Sequence, residues 1–418
     1  MREYLAVLMI AWVVTYLATG PVREGAIRFG AVTAVRARDV HSTPTPRLGG
    51  AGMYLGFLGA MLAASKLPMM QIRFFQNSQT VPALLIGVTM LIIIGVIDDR
   101  WGVDAVIKLA GQTLAASIMV LMGVQLTWIS IPGVGIVSLE PNLAVTVSVL
   151  LIVGMINAVN FVDGLDGLAA GMVAIAASCF FVYAYRLQHG YDISSIVPAA
   201  TVSVALIGMC LGFLCHNWSP ARIFMGDSGS MMIGMLLAVI TILEFGLIDP
   251  DQLKYVAGSQ STATYKSVPG FLPLVLPFCA VALPVADTVM AVVRRTRAGR
   301  SPFSADAEHM HHRLLQIGHS KRRAVLIMYF WSALISFSVV MTSVSSQSRP
   351  IVLGAMGFAA FGLIGLLLPR VRKHLDDRAG RVRAPKLRGK HAAPGETAVE
   401  RQFAHTGSGL DNTPPPGP

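Results

Sequence analysis

Asn157, Asn160, Asp163 and Asp166 recur every third residue in the stretch from Asn157 to Gly167, which lies between two long apolar runs. Residues three and four apart are neighbours on a helix surface, so the spacing predicts one oxygen-rich face. Gly164 and Gly167 loosen the backbone where one helix gives way to the next. Carboxylates and carboxamides are hard oxygen donors, and such a junction suits a hard cation and an anionic substrate. Taken by itself the stretch is more simply a capped, solvated turn, because Asn, Asp and Gly dominate turns for local reasons. Three further polar clusters reverse that preference.

The first is Asp98-Asp99-Arg100, at the end of an apolar run. Adjacent carboxylates at a helix C-terminus oppose the macrodipole and repel each other. A cation or a proton-transfer role explains the pair more economically than a solvated cap for the next helix. Lys108 and Gln112 follow, four apart and on one face. Lys108 is the lone base of its span: it either snorkels to the headgroups or holds a lipid phosphate as a point charge. The second cluster, Phe224 to Ser230, contains Gly226-Asp227-Ser228-Gly229-Ser230 and opens a later helix. Ser228 or Asp227 can cap that helix, and the open amides of its first turn attract anions. An aspartate beside such a helix end suits a metal–phosphate site.

The third cluster, His309-Met310-His311-His312-Arg313, lies in the loop from Arg294 to Arg323. His309, His312 and Arg313 are three and four apart and share a face on a helix. A zinc site using Asp306 or Glu308 would lack a cysteine and fits no usual spacing. Donors for a nucleotide diphosphate are the better reading. Asp287 lies near the same face and either pairs with Arg294 or reaches the site. In Pro44 to Gly50 the glycines permit close helix packing, and Arg47 reads as well as a topological charge as a substrate contact.

The elements that must carry these clusters follow from composition. The 418 residues are 54% hydrophobic and 13% charged, with mean hydropathy +0.62. Soluble proteins carry about 25% charged residues. The fold class is therefore an all-α polytopic membrane protein, since lipid demands internal satisfaction of every backbone polar group. Windows of about 20 apolar residues predict eleven transmembrane helices, near 4–20, 48–65, 81–97, 105–123, 142–160, 167–186, 194–215, 229–248, 271–293, 324–345 and 350–368. The first is read as a span and not as a signal peptide, because another span soon follows. Proline at 273, 277 and 284 predicts kinks in the ninth, the candidate wall of a lipid groove.

Lysine and arginine divide fifteen against seven between the two sets of loops, and ten more follow from Arg370. The N-terminus is then outside, the C-terminus cytoplasmic, and all the polar clusters lie on the cytoplasmic face. The same rule explains the net charge of +11 without a nucleic acid partner. Leu126 to Glu140 predicts a short extracytoplasmic β-hairpin. Residues 1–370 form the expected catalytic bundle, and 371–418 an expected disordered, basic, Pro-rich tail. Cys179, Cys210, Cys215 and Cys279 form no CxxC pair and read as small buried hydrophobes.

In this order, these motifs resemble the polyprenyl-phosphate N-acetylhexosamine-1-phosphate transferase superfamily, glycosyltransferase family 4. The resemblance covers nearly all of residues 40 to 370. Its histidine segment and span number are nearest to the bacterial, particularly actinobacterial, GlcNAc-1-phosphate branch, and less like the phospho-MurNAc-pentapeptide branch. It implies transfer of GlcNAc-1-phosphate from UDP-GlcNAc to polyprenyl phosphate with release of UMP, at the cell membrane, as the first membrane step of a cell-envelope glycan. It implies that Asp227, assisted by Asn160, ligates Mg²⁺ (or Mn²⁺). It also implies that Asp98, Asp99, Asp163 and Asp166 are catalytic. Lys108, Gln112, Asn157, Asn160, His309, His311, His312 and Arg313 would bind substrate. Whether the bundle forms a homodimer is left open. A secondary transporter is the rival class, but transporters gather polar groups near the midplane, usually with inverted repeats, and neither is visible here.

Overall fold

The computed structural model describes residues 1–33, 45–76, 79–131, 135–190, 192–246, 296–297, 299, 319–344, 350, 353–360 and 362. In order, the elements are α1 (Arg2–Phe29), β1 (Val32–Thr33), β2 (Thr45–Pro46), α2 (Gly49–Ala64), α3 (Pro68–Met70), a π-helical turn (Gln71–Phe75), α4 (Thr80–Trp101) and α5 (Ala105–Leu121). Then come β3 (Trp128–Ile131), β4 (Gly135–Ser138), α6 (Pro141–Val162), α7 (Leu168–Gly190), α8 (Val197–Asn217), α9 (Gly226–Gly246) and α10 (Lys321–Val344).

Among the described residues, seven helices are long and apolar enough to cross a membrane, or eight if α2 and the segment after it, bent by 87°, form one span. The sequence reading of eleven is therefore met only in its coarser form, a polytopic helical protein. Its ninth span, 271–293, lies outside the described residues, and its eleventh is described chiefly over 353–360. The expected tail at 371–418 also lies outside them.

Local chemistry sets the boundaries. α1 runs well past residue 20, through Pro21, until Gly30 takes a left-handed φ of 73° and returns its N–H to Ala26 and Ile27 carbonyls. α5 starts where the Asp104 carboxylate accepts from Val106 N at 2.8 Å. α6 starts at Pro141 under a Glu140 carboxylate that accepts from Asn142 N and Leu143 N. β3 and β4 pair antiparallel between α5 and α6, with Trp128 opposite Ser138. A second pair, Val32 opposite Pro46, joins the end of α1 to the start of α2 and was not foreseen.

α8 and α9 are the centre of the bundle, with 94% and 89% of their apolar windows buried, against 22% for α1 and 33% for α6 and α10. Lipid offers no hydrophobic drive for helices to associate, so close backbone approach over small residues must supply it. A Cβ on Gly50 would collide with the backbone of Gly229, and one on Gly95 with that of Ser228. α2 and α4 therefore clasp the first turn of α9 backbone to backbone. α4, α6 and α8 end, and α5, α7, α9 and α10 begin, at this same end of the bundle. The opposite end is closed by other contacts: Glu3 accepts from Met69 N at 3.2 Å, and Tyr4 donates to Gln188 Oε1 at 2.7 Å.

Candidate active site

The site is built on the first turn of α9. The segment before it is strapped to the start of α2: Phe224 N donates to Pro46 O at 2.9 Å, Gly49 N to Phe224 O at 3.0 Å and Gly50 N to Met225 O at 2.9 Å. The cap comes from another helix. Asp99, in the last turn of α4 and 8% exposed, accepts from Asp227 N at 2.8 Å, from Ser228 N at 3.1 Å and from Ser228 Oγ at 2.7 Å. Gly226 makes room for this, with φ 73° and a position where any Cβ would strike the Asp99 carboxylate. The awkward place of Asp99 at one helix C-terminus is thus offset by the N-terminus of another, whose amides welcome negative charge. A cap by Ser228 or Asp227, suggested by sequence, is replaced by this one.

Asp98, one residue earlier, turns the other way. Its Oδ1 accepts from Val103 N at 2.7 Å and its Oδ2 from Lys108 Nζ at 2.9 Å. Lys108 Nζ also donates to Asp227 Oδ2 in a short ion pair. Asn160 Nδ2 donates to Asp227 Oδ1 at 2.6 Å and to Ser230 Oγ at 2.8 Å. Four helices, α4, α5, α6 and α9, therefore converge on the carboxylate of Asp227. Behind it, Asn157 Nδ2 donates to Gln112 Oε1 at 2.7 Å, and the buried Gln112 reaches Met231 Sδ at 3.2 Å. Lys108 and Gln112 do share a face of α5, with Lys108 at the two carboxylates and Gln112 buried one turn deeper against Asn157 and Met231.

The expected single face from Asn157 to Asp166 does not form. α6 stops at Val162, Asp163 is its C-cap, and Asp166 lies beyond it, before Gly167 with φ 77°. The four residues consequently serve three neighbourhoods. Asn157 goes to Gln112, while Asn160 goes to Asp227. Asp166 is buried and accepts from Ala221 N at 3.2 Å. Asp163 is half-buried, and its carboxyl is pushed up to about 7, first by burial and then by the negative charges of Asp227 and Asp99, with Arg47 opposing. Beside Asp166, Asn217 accepts from Gly167 N at 2.8 Å and donates to Ile223 O at 2.9 Å, while the Tyr329 hydroxyl donates to Gly167 O. Sequence reading missed Asn217 and Tyr329; a lone Asn at a helix end and a Tyr in an apolar span give no periodic signal. His309, His311, His312, Arg313 and Asp287 lie outside the described residues.

The donor set suits a hard cation supplemented by substrate. Asp98 and Asp227 converge on a single positive charge, and Asn160 adds a carboxamide. Among the described residues no three His, Cys, Asp or Glu side chains are grouped closely enough to hold an ion unaided. Mg²⁺ needs no such cage: it is usually held by one or two carboxylates, with waters and substrate phosphates completing its shell.

Comparison with known proteins identifies the family. Residues 81–244, which span Asp98 through Asp227, match the model of glycosyl transferase family 4. The chain is 44% identical over 381 residues to a decaprenyl-phosphate N-acetylglucosaminephosphotransferase of Mycobacterium tuberculosis, covering 90% of this chain and 91% of that one. It is 45% identical over 382 residues to the protein of the same name from Mycolicibacterium smegmatis, again covering 90% and 91%. It is also 32% identical over 343 residues to a probable undecaprenyl-phosphate N-acetylglucosaminyl 1-phosphate transferase of Bacillus subtilis, covering 81% and 86%. With a polytopic helical bundle, a carboxylate site at one of its ends and likeness over nine-tenths of the sequence, the chain belongs to glycosyl transferase family 4.

Proposed function

We propose that this chain transfers GlcNAc-1-phosphate from UDP-GlcNAc to a polyprenyl phosphate, releasing UMP, with Mg²⁺ or Mn²⁺, at the cytoplasmic face of the cell membrane. The observation that carries the reading is the meeting of Asp98, Lys108, Asn160 and Asp227 at one end of the bundle. A soluble sugar nucleotide and a lipid phosphate can both reach such a rim. The names of the relatives supply the sugar and the lipid class.

Phosphoryl transfer asks a protein chiefly for positioning and charge neutralisation. The acceptor needs little activation, since a phosphate monoester with second pKa about 6 is largely ionised at pH 7. Its oxygen attacks the β-phosphorus, the bond to the α-phosphate oxygen breaks, and UMP leaves with that electron pair. Asp227, with Asn160 fixing its Oδ1, and Asp98 would hold the divalent ion, which when bound neutralises charge on the diphosphate. Asp98 is itself held by Val103 N, so it orients the ion and the acceptor. Lys108 supplies a second positive charge within reach of the lipid phosphate. Asp99 keeps the first turn of α9 in place without needing to touch substrate. His309, His311, His312 and Arg313 are the proposed grip on the nucleotide diphosphate.

The test uses detergent-solubilised full-length protein with UDP-GlcNAc, short polyprenyl phosphate and Mg²⁺. UMP release that is lost with EDTA and falls at least 10²-fold in Asp227→Ala is the expected result. A preference for UDP-MurNAc-pentapeptide in competition would overturn the sugar. UMP release that persists in Asp227→Ala would overturn the site.

A further inference from the structure

Lys108 occupies an unusual place for a residue whose assigned task is to meet a phosphate. Its Nζ lies on Asp98 Oδ2 at 2.9 Å and on Asp227 Oδ2 in a shorter pair, with the three side chains 17%, 10% and 31% exposed. The other carboxylate oxygens are already taken, Asp98 Oδ1 by Val103 N and Asp227 Oδ1 by Asn160. The two Oδ2 atoms thus share a single cationic nitrogen. A divalent ion held through the same two Oδ2 atoms would compete with the ammonium for them.

We propose that the Lys108 ammonium is a built-in stand-in for the divalent cation, and that it leaves the Asp98–Asp227 bridge when the ion binds. The inference rests on the cation-dependent reading above and adds a competition to it. In the stand-in position Lys108 offsets carboxylates that would otherwise repel one another beside the half-buried Asp163, and so holds α4, α5 and α9 in register. Displaced, its four-carbon stem keeps the charge at the site but frees the nitrogen for a phosphate oxygen. Loading of the ion and presentation of the lysine then become one event, and the lysine is withdrawn whenever the ion is absent. Gln112, one turn along α5, is fixed by Asn157, so the helix itself need not move.

Two measurements without sugar nucleotide or lipid test this on the full-length protein. In the first, Mn²⁺ affinity is followed by electron paramagnetic resonance. Lys108→Met should bind Mn²⁺ on the order of tenfold more tightly than wild type, because the ion no longer has to break two part-buried ion pairs. Unchanged or weaker affinity would overturn the proposal. In the second, wild-type protein stripped with EDTA is treated with a water-soluble amine-acylating reagent, with and without Mg²⁺, and modification of Lys108 is read by mass spectrometry. The freed amine should label faster with Mg²⁺. Equal or slower labelling would overturn the proposal even if Lys108→Met failed to fold, and mere repulsion by a stationary lysine would leave the labelling unmoved. Mg²⁺-dependent UMP release by wild type is the separate check on the function itself. If release occurs and labelling does not respond, only the stand-in role falls.

Discussion

Exchanging Asp98 and Asp99 for asparagine, one at a time, should separate two jobs that look identical in the sequence. Asp99 accepts three hydrogen bonds from the first turn of α9 and is 8% exposed. Asparagine keeps the shape, but only one of its two terminal atoms can still accept from an amide. One backbone N–H is left unsatisfied, and the remaining bonds lose their charge assistance. At about 1–3 kcal/mol for a buried unsatisfied donor, the loss should be ~3 kcal/mol. At roughly 2 °C per kcal/mol for a chain of this size, Tm should fall about 6 °C. Asp98→Asn instead removes one partner of a bridge in which Lys108 retains Asp227, so its stability should change by about 1 kcal/mol or less. Both variants should lose UMP release. The assay pairs thermal unfolding in detergent with turnover under saturating Mg²⁺. If Asp98→Asn lowers Tm more than Asp99→Asn does, the capping argument is refuted.

Further outcomes follow from the same geometry. Asp163, with its carboxyl at about 7 in place of the usual carboxylate range near 3.9, is protonated below neutrality. Mn²⁺ affinity should therefore strengthen as pH rises from 6 to 8, with proton release visible by calorimetry in buffers of different ionisation enthalpy. The same raised value means that this group favours the folded, EDTA-treated protein most below pH 4, and that the advantage is lost as pH rises through 7. Gly226→Ala should destabilise by at least ~1–2 kcal/mol from its left-handed φ alone and should also dislodge Asp99, so Tm and turnover fall together. Glu244, buried near the far end of α9 with neither carboxyl oxygen hydrogen-bonded among the described residues, marks a cost unrelated to the site. Glu244→Leu should raise Tm, on a gain of about 1–3 kcal/mol, and leave UMP release intact.

Much of this arrangement could be read from residue order because the chemistry and the spans share a period. Apolar runs located most of the described helices to within a few residues, and four helices did bring Asp98, Lys108, Asn160 and Asp227 together. What failed were inferences that treated each segment alone. A three-residue spacing put Asp163 and Asp166 on one face with Asn157 and Asn160. Yet the chain turns at Gly164 and Gly167, where one helix was expected to give way to the next, and the carboxylates go to different neighbours. The cap of α9 was sought within its own sequence, whereas it arrives from α4 across 128 positions. Asn217 and Tyr329, which fix Gly167, carry no periodic mark, and nothing local in the chain announces that they meet.

The strap between Gly49, Gly50 and the Phe224–Met225 pair has a consequence for biosynthesis. The start of α2 enters the bilayer long before its partners exist, and the chain from residue 51 to residue 225 must be made before those amides find their acceptors. At about 5–20 residues per second, that interval is on the order of ten to thirty seconds. During it the nascent bundle holds Asp98 and Asp99 with α9 not yet inserted beside them. The carboxylate pocket is therefore completed late by the ribosome, and a chain stalled before residue 224 presents acids to the translocon with no helix to receive them.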